Sequence, residues 1–182
     1  MKAIASIFAL FFFGISISAH AQQNNNWYFG RKAALNFNSS GIQPVPSLLT
    51  NSAMLADEAA AAISDEDGKL LFYTNGVTVY NKQHQVMLNG AGLDGNISTA
   101  QVLIIPIPGN DSLFYIFTTD AIENNFLIGY KYSVVNINRD GGNGEVIIKN
   151  TLLWNSSTER LAAARHANGK DVWIITNDNN SN

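Results

Sequence analysis

Three features of the sequence predict an all-β fold, β-propeller-like, with about three four-stranded blades in an incomplete ring. Nine or ten short runs rich in β-branched and aromatic residues recur at all-β spacing, separated by turns of Gly, Asn and Asp. Many of these runs are apolar on both faces, where a two-sheet sandwich would alternate more cleanly between core and solvent. A strand–turn–strand pattern also occurs three times, as it would in sheets stacked face to face around an axis.

The first 21 residues read as a signal peptide. Lys2 supplies the positive start, residues 3–17 are apolar and include Phe11-Phe12-Phe13, and Ala19-His20-Ala21 has the small residues a signal peptidase needs. Cleavage is expected between Ala21 and Gln22. The apolar run is short for a hydrocarbon core of ~30 Å, and no second long run follows, so no membrane span is expected in the mature chain. No Cys follows the site, which excludes a lipoprotein anchor. Residues 22–26 read as a flexible lead-in, and residues 27–182 as one domain.

Composition narrows the function classes. The 182 residues carry 11 basic and 14 acidic side chains, for a formal charge of −3, with only 14% charged residues and 46% hydrophobic ones. A sequence pI near 5.5 argues against a nucleic-acid partner, which needs a surplus of Lys and Arg. With no cysteine there is neither a disulfide framework nor a thiolate metal site. An exported chain without cysteine suits a bacterial envelope or exterior. Five N-x-S/T sequons, at Asn38, Asn96, Asn110, Asn155 and Asn179, are attributed to the abundance of Asn.

Along the mature chain, residues 27–30 and 34–37 are the first strand candidates, and residues 41–46 a loop. The Ala-rich stretch 56–63 has helical propensity, but the repeat favours a strand over 59–63, because small residues suit inner strands converging on an axis. Ser64-Asp65-Glu66-Asp67-Gly68 is a turn and residues 69–74 a strand. Asn75-Gly76 signals a hairpin in which both residues tolerate left-handed φ, and residues 77–80 return. Residues 102–107 form an apolar strand that Pro106 and Pro108 bring to an end. Further strands are expected at 113–118, 128–135, 146–153 and 172–176, with turns at Pro108-Gly109-Asn110-Asp111 and across 140–144.

The repeat compares residues 59–74, 101–118 and 161–176. Each is a small or apolar strand, a turn, an aromatic-rich strand and a closing Thr. Thr74 and Thr118 lie 44 residues apart, Thr118 and Thr176 58 apart. The shorter spacing suits a four-stranded blade of ~40–50 residues. The third unit is followed directly by the Asn-rich residues 177–182, so the domain is expected to be truncated at its C-terminus. Its open edges then call for a partner or for downstream modules missing from this chain.

Several blocks carry a family resemblance. They are Asn26-Trp27-Tyr28-Phe29-Gly30 with Ala34-Leu35-Asn36-Phe37, residues 68–81 continuing to His84-Gln85-Val86-Met87, Tyr132-Ser133-Val134-Val135, and Arg165-His166-Ala167-Asn168-Gly169. Together they resemble the N-terminal propeller-like region of large exported proteins of gliding-type Gram-negative bacteria. The resemblance implies PKD-type modules and a type IX secretion sorting domain downstream, a location outside the cell or on its surface, and a role in adhesion or motility. It implies no catalytic motif.

No residue is singled out as catalytic, cofactor-binding or metal-ligating. Asp65-Glu66-Asp67-Gly68 could attract calcium, but lacks the spaced ligands of an EF-hand and reads as a hairpin turn. Gly141-Gly142-Asn143-Gly144 lacks the order of a phosphate cradle. His166 could serve as a general base, but no nucleophile motif accompanies it, and a structural hydrogen bond is the simpler role. His84 falls in an expected surface loop. Asp57, Glu58, Asp120, Glu123 and Asp178 could supply a glycosidase pair, although Asp120 and Asp178 also fit as repeated turn residues. Trp27, Trp154 and Trp173 and the tyrosines could stack on sugars, but their place in apolar strands points to packing between sheets. The expectation is a non-enzymatic module that binds protein or polysaccharide through loops at one face. The alternatives are a fragment of a carbohydrate-acting propeller enzyme and a truncated remnant without independent function.

Overall fold

A computed structural model describes residues 22–38 and 45–180. The signal-peptide segment, including Ala21, lies outside these residues, as does most of the expected 41–46 loop. The described chain is all-β. Its strands are β1 (Asn26–Phe29), β2 (Ala33–Asn36), β3 (Ser47–Leu49), β4 (Ala61–Ser64), β5 (Leu70–Thr74), β6 (Thr78–Asn81), β7 (Val86–Ala91), β8 (Leu103–Pro106), β9 (Leu113–Thr118), β10 (Tyr130–Asn136), β11 (Glu145–Trp154), β12 (Ser157–Arg165) and β13 (Val172–Asp178). Asn26, assigned from sequence to the lead-in, is the first residue of β1 and is buried. Strands β3 and β7 were not anticipated. The Ala-rich stretch is not helical: residues 61–63 belong to β4, and the N–H groups of Asp57, Glu58 and Ala59 all turn to the carbonyl of Ile97.

Two antiparallel four-stranded meanders form the centre, β4–β5–β6–β7 and β8–β9–β10–β11. One parallel bridge, Glu145 to Leu88, joins them into an eight-stranded sheet. Where that backbone ladder stops, side chains continue it. Asn89 Nδ2 donates to the Val146 carbonyl at 2.7 Å, Lys149 Nζ to Ala91 at 2.8 Å and Asn150 Nδ2 to Gly92 at 3.0 Å. At the opposite ends of this sheet β4 and β8 approach each other, so the eight strands curl into a flattened, nearly closed barrel. The expected three four-stranded units are therefore two, flanked by the three-stranded sheet β1–β3 and the two-stranded sheet β12–β13.

Three separate cores explain why so many strands are apolar on both faces. Ile63, Phe72, Val79 and Met87 meet Phe114, Ile116, Val135 and Val146 between the two meanders. On the other side of the first meander, Tyr73 packs with Tyr28, Ala34 and Met54 of the β1–β3 layer. On the other side of the second, Phe117 and Tyr130 pack with Leu161, and Tyr115 and Ile174 lie against them. The sheets thus follow one another in chain order, and each meander hides both faces. Burial of this extent is the main favourable term in folding, at roughly 25 cal/mol per Å² of apolar surface.

The repeat keyed on its threonines is not in structural register. It equates Tyr73 with Phe117, yet Tyr73 faces the preceding sheet and Phe117 the following one. Side chains alternate along a strand, so an offset of one residue reverses the face. Cross-strand pairing gives the true equivalence: Ile63–Phe72, Ile105–Tyr115 and Ala164–Trp173 are the corresponding pairs.

The turns are local in origin. Gly76 has φ of 84°, but Asn75 does not enter the left-handed region, so the expected two-residue hairpin becomes a three-residue loop. Asn75 Oδ1 accepts from Val77 N at 3.0 Å and Thr78 N at 2.8 Å, and its Nδ2 donates to the Leu55 carbonyl at 2.8 Å. The Gly-rich segment at 140–144 forms the β10–β11 hairpin turn, as its sequence indicates.

Candidate functional site

The turns that join the first two strands of each meander and of the β12–β13 sheet converge on one cleft of about 760 Å³. They are the β4–β5, β8–β9 and β12–β13 turns, the same three that punctuate the sequence repeat. Their convergence follows from the stacking: when sheets lie side by side, equivalent turns come to one end. The floor is apolar, from Leu71, Ile105, Phe114 and Val172. Asp65, Glu66, Asp67, Asp111 and Asp171 line the wall with Arg165 and Lys170.

Each turn is held by its own side chains. Asp65 Oδ1 accepts from Asp67 N at 3.0 Å and Lys69 N at 2.8 Å. The Gly68 carbonyl accepts from Asn26 Nδ2 at 2.7 Å and Asn38 Nδ2 at 2.6 Å, which ties the turn to the first sheet. Asn110 Oδ1 accepts from Ser112 N and Oγ at 3.0 and 2.9 Å. Asn168 Oδ1 accepts from Lys170 N and Asp171 N, both at 3.0 Å, while its Nδ2 donates to Asp171 Oδ2 at 2.6 Å. Asp and Asn at these positions thus freeze the backbone and leave neighbouring side chains to face the cleft. Among the described residues no group of three or more His, Asp or Glu could hold a metal ion. Asp65 is instead committed to its turn.

His166 fits the structural role. Its Nδ1 accepts from Asn168 N at 3.1 Å, and its ring lies 5.4 Å from that of Trp173. The five carboxylates considered for glycoside chemistry are employed separately. Asp57 pairs with Arg31 at 2.7 Å on the surface. Asp120 is fully buried and accepts from Ala121 N, Asn124 Nδ2 and Ile128 N. Asp178 accepts from Ser156 Oγ and Asn180 N, bonds that hold its carboxyl below the usual range. Asp120 and Asp178 therefore organise the segments that follow their strands. Glu58 and Glu123 are exposed, and none of the five lines the cleft.

The tryptophans depart from expectation. Tyr28, Tyr73 and Tyr130 are buried between sheets, but Trp27, Trp154 and Trp173 are about half exposed. Trp27 and Trp173 lie in the two flanking sheets and Trp154 at the end of β11, where no further layer among the described residues covers them.

One cluster had no sequence signal. His84 lies in the β6–β7 turn at the surface, as expected, and its half-buried ring joins Tyr28, Tyr73 and Asn51. Asn51 Nδ2 lies 2.8 Å from His84 Nε2, and Tyr73 Oη 3.4 Å from Nδ1. Tyr28 donates to Asn51 Oδ1 at 3.3 Å and stacks on Tyr73 with centroids 4.3 Å apart. Desolvation pushes the Tyr28 phenol up to about 12 and lowers the His84 imidazole. The φ of 64° at His84 places it in the left-handed region, which few non-glycine residues enter and which its sequence context did not announce.

No protein-family model matches the chain, and no curated protein or solved structure matches it.

Proposed function

We propose that the chain is an exported, non-enzymatic interaction module that binds a protein or a polysaccharide through the cleft at the turn-bearing end of its sheets. In this reading the successive sheets are blades of an incomplete propeller, and the module belongs to a bacterial surface protein of the adhesion or motility type. Export rests on the signal-peptide reading of residues 1–21, and the class of parent protein on the sequence blocks that resemble such proteins. Among the described residues no helix is long and apolar enough to cross a membrane.

The observation that carries the reading is the convergence of three repeated turns on one cleft, with a polar wall over an apolar floor. Binding surfaces concentrate on loops held by a rigid scaffold. Carboxylates, amides and cations along the wall suit the hydroxyls of a sugar chain or the polar groups of a peptide, and the floor suits an apolar face of either.

The test uses immobilised alginate, chitin and xylan as polysaccharide probes and gelatin as the protein probe. Charge reversals Glu66→Lys, Asp111→Lys and Lys170→Glu should weaken binding to whichever probe is retained by about tenfold or more. Lys82→Glu, outside the cleft, should leave it unchanged. Retention that ignores the cleft variants, or no retention by any probe, overturns the proposal. For export, mass spectrometry of secreted protein should find Gln22 at the N-terminus.

A further inference from the structure

We propose that the protein associates head to tail with a second copy of itself, the outer face of β12–β13 in one copy seating on the outer face of β1–β3 in the next. This goes beyond ligand binding at the cleft and does not depend on it.

The argument starts from how the chain covers its own sheets. At each internal junction the forward face of one sheet packs on the backward face of the next. Phe72 of β5 is covered by Phe114 of β9, and Tyr115 and Phe117 of β9 by Leu161 and Ile174 of the last sheet. The last sheet repeats the aromatic of the second strand, with Ala164 beside Trp173 where the meanders set Ile63 beside Phe72 and Ile105 beside Tyr115. Ala164 pairs with Trp173 and Ala162 with Ile175, a small residue on the first strand beside a large one on the second. Among the described residues nothing covers them: Trp173 is 59% exposed and Ile175 54%.

The matching backward face is at the other end of the same chain. Trp27, Leu35 and Leu48 sit opposite one another across β1, β2 and β3, forming one apolar row. Trp27 is 53% exposed and Leu48 74%, whereas the other face of this sheet is packed on the first meander. Neither β1, β2 nor β3 contains a charged residue, β13 carries none before Asp178, and the charged residues of β12, Glu159, Arg160 and Arg165, flank its run Leu161–Ala164. Natural exposed sheets usually carry charges that keep neighbours away. The β1–β3 face and the Ala162–Ala164 and Trp173–Ile175 patch of the last sheet lack them, so a mate can be seated on these patches without stripping water from an ion, with Arg160 at the rim. One end being the forward kind and the other the backward kind makes the contact heterologous, so it repeats the internal junction between two chains.

Sedimentation velocity across a range of concentrations tests this on the purified protein. The wild type should self-associate as concentration rises. Trp173→Glu and Leu48→Lys, one on each face, should each weaken that association by about tenfold or more. Both side chains are exposed, and unchanged circular dichroism and melting temperature confirm that the variants fold. Mixed in equal amounts, the two variants should form a 1:1 heterodimer, because each keeps the face the other lacks. A wild type that stays monomeric at every concentration overturns the proposal and assigns these faces to some other occupant. So does self-association that survives Leu48→Lys, which indicates pairing of like faces, or a mixture that stays monomeric.

Discussion

The ring of Phe72 meets the ring of Phe114 edge-on, with centroids 5.5 Å apart and planes at 81°. This contact joins the two meanders at the centre of their shared core, and both rings are buried. An edge-to-face pair contributes beyond its buried area, by about 0.5–1.5 kcal/mol. Replacing either ring by Ala should cost about 3–5 kcal/mol, cavity included. A double-mutant cycle by urea denaturation should show a coupling of about 1 kcal/mol. Additive losses would mean that the rings merely share a core.

His84 sets a pH dependence. Its Nε2 faces the Asn51 amide donor, so the neutral ring fits and the protonated ring does not. Desolvation lowers its pKa in the folded state, and the unfolded chain therefore binds more protons just below pH ~6.5. Stability contributed by this site is present above that value and is lost as pH falls through the lowered folded pKa. His84→Asn, which tolerates the positive φ, should flatten the melting-temperature decline in this window relative to wild type. An unchanged decline would assign it to other groups.

Gly68 and Gly109 both have positive φ, 77° and 76°, but different surroundings. A methyl at Gly68 would run into the side chains of Asn38 and Gln22, while Gly109 faces open space. Gly109→Ala should cost only the backbone strain, about 1–2 kcal/mol. Gly68→Ala should cost more and should loosen the first sheet, read as faster amide exchange in β1 and β2. Equal losses would show that Asn38 and Gln22 simply move aside.

Ser157 is fully buried, and its hydroxyl has no hydrogen-bond partner among the described residues. An unsatisfied buried hydroxyl carries a desolvation cost of about 1–3 kcal/mol. Ser157→Ala should therefore leave the melting temperature unchanged or raise it, against the usual direction of core substitutions. A clear drop would mean that the hydroxyl is satisfied by a bound water.

The all-β class, the turns at 65–68, 108–111 and 140–144, and the core strands β5, β9 and β10 were legible because their signals are local. Gly and Asn place the turns, and aromatic and β-branched runs place the strands. The short strand β3 and strand β7 escaped notice because their residues carry no such pattern: Ser47-Leu48-Leu49 has almost no length, and Asn89-Gly90 interrupts the second. The cleft was legible only as three separate turns, and the His84 cluster not at all.

By itself, then, the sequence determined that the chain forms short strands with two apolar faces and where it bends between them. The tertiary structure alone decided which face meets which neighbour. It made Phe72 and Tyr73, adjacent in β5, members of different cores, brought three distant turns to one cleft, and left Trp27 and Trp173 uncovered at the two ends. The physical reason is the two-residue period of a strand: its register is set by partners far away in the chain, and one step of register exchanges inside for outside.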